Sequence, residues 1–380
     1  MRLQYFIRTA WLAAIILGSV APVYAISLIL PTTSDPNDLL QYCISPTEPP
    51  ELQLQAYARG ITTSNIGPMS ELGGGDMPAR TFGDARAYAT AQYTGSLKIS
   101  YRRWWVGYGQ GQRWSYDGNS DAAQLWIDLH ADGQTQPSYA PQASDATIAT
   151  NWYALGHDFP LHAGSIEGLA DLCLRRISVP KFRARSVVGE MQGEEFTAMM
   201  RTVTWDTRDH GKVPGVGWSL DGQMKLKYEK WLGQMTVEGL LGEVSWHGLK
   251  IEEANIVSPR TFTDPEGFLH DMGGITGAYW YEDRSIRLNP LYRMDLVHQG
   301  RPNVLLGCIW QSGTEAAPNF GIGWSQPKKW MPYSRYYPVQ GRLEIGAVGL
   351  GWEARASAGR PFTLNPQHME FGLSASALRF

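Results

Sequence analysis

Between Ala85 and Arg102 the side chains alternate with a period of two, over a run longer than an ordinary soluble strand. Ala85, Ala87, Ala89, Ala91, Tyr93, Gly95, Leu97, Ile99 and Tyr101 are apolar or small. The interleaved Arg86, Tyr88, Thr90, Gln92, Thr94, Ser96, Lys98, Ser100 and Arg102 are almost all polar. Successive strand side chains point to opposite sides, so this run has one apolar and one polar face. A helix would bring Ala87, Thr90 and Ala91 together and show no apolar stripe. The pattern returns at Ile166–Arg175, Trp218–Glu229 and Gln234–Leu241, and more weakly at Ala123–Leu129, Tyr292–His298, Leu343–Ala347 and Leu350–Ala358. Val304–Trp310 is apolar on both faces. Most of these runs reach roughly ten residues, the length a tilted strand needs to cross a bilayer, whereas soluble strands average about five or six.

Composition agrees. Charged residues are 18% of the chain, below the roughly 25% of soluble domains. Aromatics gather near the ends of several runs: Tyr101, Trp104 and Trp105; Trp218, Tyr228 and Trp231; Tyr279, Trp280 and Tyr281. In a membrane barrel such residues form girdles at the two interfaces. The expected fold is all-β, an antiparallel up-and-down transmembrane β-barrel of about 12–16 strands, at one strand per roughly 20–30 residues.

The N-terminus reads as an address. Arg2 and Arg8 flank a short apolar core from Ala10 to Val20, followed by Val23-Tyr24-Ala25, with small residues at the −3 and −1 positions of a cut after Ala25. The core is too short to span a membrane as a helix. Residues 1–25 are therefore expected to be a signal peptide. Residues 26–80 hold Pro- and Gly-rich stretches, with short elements around Asp38–Tyr42 and Leu52–Arg59, and read as a periplasmic or lumen-occupying segment. Residues 81–380 are the expected barrel. Cys43, Cys173 and Cys308 are too widely spaced for a zinc or redox motif; one disulfide with a free thiol, or three free thiols, fit equally.

The chain ends Ala375-Ser376-Ala377-Leu378-Arg379-Phe380. A terminal Phe with a hydrophobic residue two before it, together with the cleavable leader, resembles the Gram-negative outer-membrane β-barrel superfamily. The resemblance implies a location in the cell outer membrane, the lipid bilayer as surroundings, and Leu378 and Phe380 as a signal read by the outer-membrane assembly machinery. Met369, Phe371, Leu373, Ala375 and Ala377 lie on the opposite parity from that pair, so a bulge near Ala377 is expected to reconcile them. Ala79–Tyr88 resembles, more faintly, the small-residue lead-in of fatty-acid-transporter-like barrels. The Asn-Pro-Ala that follows in that family is absent, and no hydrophobic substrate is carried over.

Alternation assigns the faces. Arg86, Lys98, Arg102, Asp221, Lys225, Lys227, Glu229, Arg342, Glu344, Glu353 and Arg355, with Asp128, Arg293 and Asp295, are expected to line the lumen, where charge is tolerated. Their mixed signs argue against a ring selective for one sign of ion; a wet lumen and structural salt bridges across a packed lumen fit the charges equally well. Leu97, Ile99, Leu220, Met224 and Leu226 are expected to meet lipid. No Gly-x-Ser-x-Gly, Walker A or dinucleotide fingerprint occurs. His162 and Ser165 are close in sequence but lack a third group, and the clusters Asp206, Asp209, His210 and Asp264, Glu266, His270, Asp271 match neither calcium nor zinc spacing. No cofactor or metal is expected, and a net charge of −3 argues against nucleic acid. The function expected is porin-like passage or binding of a small solute, not enzymatic. The alternatives are a structural or assembly protein without transport, and a barrel hydrolase.

Overall fold

The computed structural model describes residues 52–66, 81–130, 138–192, 195–207, 214–257, 261–263, 269–271, 274–311, 317–324, 330–338, 341–349, 351–359 and 368–377. The strands are β1 (Leu52–Ser64), β2 (Arg86–Tyr101), β3 (Trp104–Asn119), β4 (Ser138–Tyr139), β5 (Gln142–Ala163), β6 (Ile166–Gln192), β7 (Glu195–Asp206), β8 (Gly215–Tyr228), β9 (Trp231–Val257), β10 (Thr261–Thr263) and β11 (Leu269–Asp271). They continue with β12 (Gly274–Arg287), β13 (Leu291–His298), β14 (Asn303–Gln311), β15 (Ala317–Gly323), β16 (Trp330–Tyr337), β17 (Arg342–Gly349), β18 (Trp352–Gly359) and β19 (His368–Ala377). One helix, α1 (Ser120–His130), follows β3.

Each long strand pairs antiparallel with its chain neighbour, and the last pairs with the first: Leu54 faces Ala377 and Thr63 faces His368. Among the described residues the ring closes through this β1–β19 pairing. β7 and β8 share one position against β6, broken between Asp206 and Gly215, and β12 and β13 share one against β9. Among the described residues the barrel has fourteen strand positions. One end carries the tight turns at Arg102–Arg103, Gly164–Ser165 and Glu229–Lys230, with Leu52 and Ala377 beside them. The opposite ends of these strands, at Ser64, Arg86, Asn119, Val257 and Gly274, lie at the other end. These are called the turn end and the loop end below.

The faces divide as lipid requires. Leu97, Tyr108, Leu155, Leu174, Leu241, Ile345 and Leu373 are exposed large apolar residues on the outside. Arg175, Asp221, Arg335, Arg342, Glu353 and Glu370 are buried inside. Moving apolar side chains from water to lipid and charges from lipid to a paired interior is what fixes the register, because a slip of one residue would exchange the two sets.

Three expectations are corrected. Leu52–Ser64, inside the segment 26–80 read as preceding the barrel, is a barrel strand: β1 pairs with β2 along its length as well as with β19. Ala123–Leu129 is helix, not strand, and Asp128 accordingly sits on α1. The Asn119 side chain accepts the Ala122 N–H at 2.9 Å, capping the first turn. Ala123 and Ile127, one turn apart, bury fully against Ile66 and Ala87, and Gln124 donates to Asp128 at 2.8 Å. Finally, Arg102 and Glu229 are not in the lumen. Each is exposed in a two-residue turn with positive φ, 55° and 51°, as hairpin turns matching strand twist demand.

β6 and β9 run 27 residues each and β5 22, well beyond the roughly 9–11 that cross a bilayer. The surplus rises at the loop end as a wall of β5, β6, β7, β9 and β12. Its inner face carries an apolar core that includes Ile148, Phe182, Val203, Trp246, Leu249 and Ile251.

Candidate functional site: the barrel lumen

The lumen is built differently on its two sides. On the side of β13–β19 and β1 it is filled by paired charges. Glu370 accepts from Arg59 Nε at 2.8 Å and from Arg342 at 2.5 Å, and its carboxylate forms an ion pair with Arg355, 3.2 Å from Nε. Asp295 accepts from Arg293 at 2.7 Å and Arg335 at 2.8 Å. Tyr337 donates to Glu344 at 3.2 Å and Tyr333 to Glu353 at 3.4 Å, while the Arg342 guanidinium lies 3.5 Å from the Tyr337 ring centroid. None of these ion-paired side chains is more than 10% exposed. Nearer the turn end Leu232, Val297, Leu305, Met331, Tyr333 and Val348 pack together. Among the described residues this half is occupied by buried, ion-paired and apolar side chains.

The side walled by β1–β3, β5, β6, β8 and β9, with Ser374 and Ala375 of β19, keeps a cavity of about 140 Å³, room for several waters. Two charged groups face it. Arg175 donates through Nε to Asp221 at 2.9 Å and lies 3.9 Å from Glu238. Asp221 also accepts the Ser219 hydroxyl at 3.1 Å and the Gly239 N–H at 2.7 Å. Across the cavity Lys98 stands 3.8 Å from Asp171 and 4.2 Å from the Trp105 ring centroid, and Trp105 Nε1 donates to Asp171 at 3.0 Å. Trp105 and Trp152 lie flat against the wall over Gly156 and Gly109, positions where a Cβ would collide with the indoles. Cys173 is a free, buried thiol between these groups.

Of the residues expected in the lumen, Lys98 and Asp221 line the cavity, and Arg342, Glu344, Glu353, Arg355, Arg293 and Asp295 form the ion-paired half. Lys225 and Lys227 are half-buried on the same alternation as Asp221. Arg86 keeps the parity of Lys98 but stands at the loop-end rim, 65% exposed and paired with Asp117. Leu97 and Ile99 are exposed on the outside at 52% and 47%. Leu220, Met224 and Leu226 are half-buried on the outer face of β8, Leu226 packing over Gly168. Leu378, Phe380, Cys43, residues 1–25, Asp264 and Glu266 lie outside the described residues, as do the side chains of His270 and Asp271. His162 and Ser165 are exposed at the β5–β6 turn. No group of three or more His, Cys, Asp or Glu able to hold a metal occurs among the described residues.

Sequence reasoning did not single out Arg59, Asp171, Arg175, Glu238, Arg335 or Glu370. All but Arg59 and Arg335 sit in alternating runs, and their charge on the polar parity was the available signal. Arg59 lay in a segment not read as barrel.

No family model matches the chain, and no curated protein does. Solved structures similar to it are outer-membrane β-barrels. One is a deltaS2S3 mutant of the monoaromatic hydrocarbon channel TodX, at 11% identity and a TM-score of 0.44, covering 91% of this chain and 93% of that one. The P. putida toluene transporter TodX matches at 10% identity and a TM-score of 0.39, over 88% and 92%. The translocator domain of the autotransporter NalP from Neisseria meningitidis matches at 8% identity and a TM-score of 0.30, over 88% and 89%.

Proposed function

We propose that the chain is an outer-membrane barrel that admits small polar solutes through the cavity side of its lumen, without catalysing a reaction. The observation that supports this is the asymmetry of the interior: one half is packed with ion pairs, and the other keeps a polar cavity of about 140 Å³. A cavity of that size suits solutes of a few heavy atoms and not open, porin-scale diffusion. The leader at residues 1–25 directs export, the turn end faces the periplasm, and Leu378 and Phe380 present the last strand to the assembly machinery. Deleting Phe380 is expected to leave signal cleavage intact and to reduce the heat-modifiable, folded band.

The test of passage is swelling of proteoliposomes in a series of solutes of increasing size. Small solutes are expected to enter, with a sharp cut-off, and Ser96→Trp, which fills the cavity from β2, is expected to slow them. Folded protein that admits none of the series contradicts the proposal. That outcome favours the second reading, a barrel with a structural role, which the packed half of the lumen supports.

A further inference from the structure

The wall above the membrane has a second face, opposite its apolar core. On β5 the positions of Asp145 and Thr147 share the alternation of Tyr153 and Leu155, which are 62% and 51% exposed in the lipid-facing band. The outer face of the wall is thus a continuation of the barrel's lipid surface. Two rungs of the sheet cross it. One runs Asp145, Arg185, Thr202, Glu252, Tyr279; the next runs Thr147, Arg183, Thr204, Lys250, Tyr281. The short Thr202 and Thr204 make a trough between taller banks. Arg183 and Arg185 form one bank, and Lys250, Tyr279 and Tyr281 the other. Strand spacing of about 4.8 Å puts roughly 10 Å between the Arg183 and Lys250 backbones.

The charges on this face are unevenly distributed. Arg176, Lys181, Arg183 and Arg185 all stand on β6, while Lys250 and Arg287 stand among Glu243, Glu252 and Asp283 on β9 and β12, and Asp145 and Asp206 flank the β6 cations. Asp145 is shared: it accepts from Arg185 Nε at 2.6 Å and from Arg183 at 3.4 Å. One carboxylate cannot engage the ten N–H groups of two guanidiniums, and both side chains remain about half exposed, at 46% and 45%. Lys181 is 51% exposed and 3.7 Å from Asp206. Lys250 pairs with Glu252, and that hydrogen bond holds its ammonium above the usual lysine range.

Height decides what such a face meets. Arg176 is level with Tyr153 and Trp218, at the upper edge of the apolar band. Thr147, beside Arg183, is six residues further along β5, about 14 Å higher at a rise of roughly 3.3 Å and a tilt near 45°. A phospholipid headgroup layer is only about 5–8 Å deep. Cations beginning at the headgroup level and continuing above it match a taller headgroup, a sugar carrying phosphates. We propose that this outer face binds a phosphorylated glycolipid of the surrounding leaflet, with phosphate on Arg183 and Arg185, and Lys250 and the tyrosines on the far bank against the sugar. Guanidinium groups suit phosphate by bidentate hydrogen bonding.

The experiment uses the full folded chain in detergent and reads the temperature midpoint of heat-modifiable migration. The probes are diphosphorylated lipid A, its dephosphorylated form, phosphatidylglycerol and inorganic phosphate. Diphosphorylated lipid A is expected to raise the midpoint with at least tenfold higher apparent affinity than any other probe. Arg183→Gln with Arg185→Gln is expected to remove that preference, and to lower the ligand-free midpoint because Asp145 loses both counter-charges. Lys250→Gln, on the other bank, is expected to weaken it independently, should the double variant fold poorly. Equal shifts from the dephosphorylated lipid, from phosphatidylglycerol or from phosphate alone overturn the proposal, as does a full shift in both variants. Solute flux does not enter this readout, so the two proposals stand or fall separately.

Discussion

Glu370 holds three guanidinium groups in a nearly dry interior. Breaking such a pair costs more than the pair contributes, because the partners keep their burial and lose their counter-charge. Glu370→Gln is expected to destabilise the folded barrel by about 3–5 kcal/mol, measured by reversible denaturant unfolding in lipid vesicles. Arg86→Gln, at the exposed rim, removes the pair with Asp117 and is expected to cost under about 1 kcal/mol. On the other face, Leu172 is 49% exposed in the middle of the spanning part of β6. Leu172→Arg is expected to cost about 2–4 kcal/mol, and Leu226→Arg far less, since Leu226 sits three residues from the turn at Glu229 and an arginine there reaches the interface. Equal losses at the two sites would count against this placement of the membrane.

At the scale of elements, what was legible in the sequence is what lipid enforces. β2, β6, β8 and β9 alternate because one face must be apolar and the other need not be, and that pattern survives in the residues alone. α1 was hidden because Ala123–Leu129 alternates weakly and its true period shows only in Ala123 and Ile127 packing on Ala87. β1 was half hidden between Pro-rich and Gly-rich stretches. The ion-paired half of the lumen could be read as charged but not as connected: Arg59 and Glu370 meet across 311 residues, a proximity that only closure creates. Turns show the reverse error. Arg102 and Glu229 keep the alternation of their strands but occupy left-handed turn positions. A non-glycine there costs about 1–2 kcal/mol, and glycine's own entropy cost is about 0.5–1 kcal/mol. Arg102→Gly is therefore expected to stabilise the barrel slightly, by about 0.5–1 kcal/mol. A large loss in the same unfolding assay would show that Arg102 has a role beyond its turn.

For the whole molecule, closure is the claim on which the lumen, its cavity and the lipid face all depend. An open sheet would expose the unpaired edges of β1 and β19 to hydrocarbon, which a membrane does not tolerate. Ala56 and Ala375 face each other directly across that seam. The most direct measurement is oxidative cross-linking of Ala56→Cys with Ala375→Cys in membrane-inserted protein, read by migration after full denaturation and compared with each single substitution. Closure predicts rapid, near-complete formation of an internally linked species in the folded fraction, absent from both single variants and reversed by reductant. A folded, inserted double variant that forms no such link would contradict the barrel.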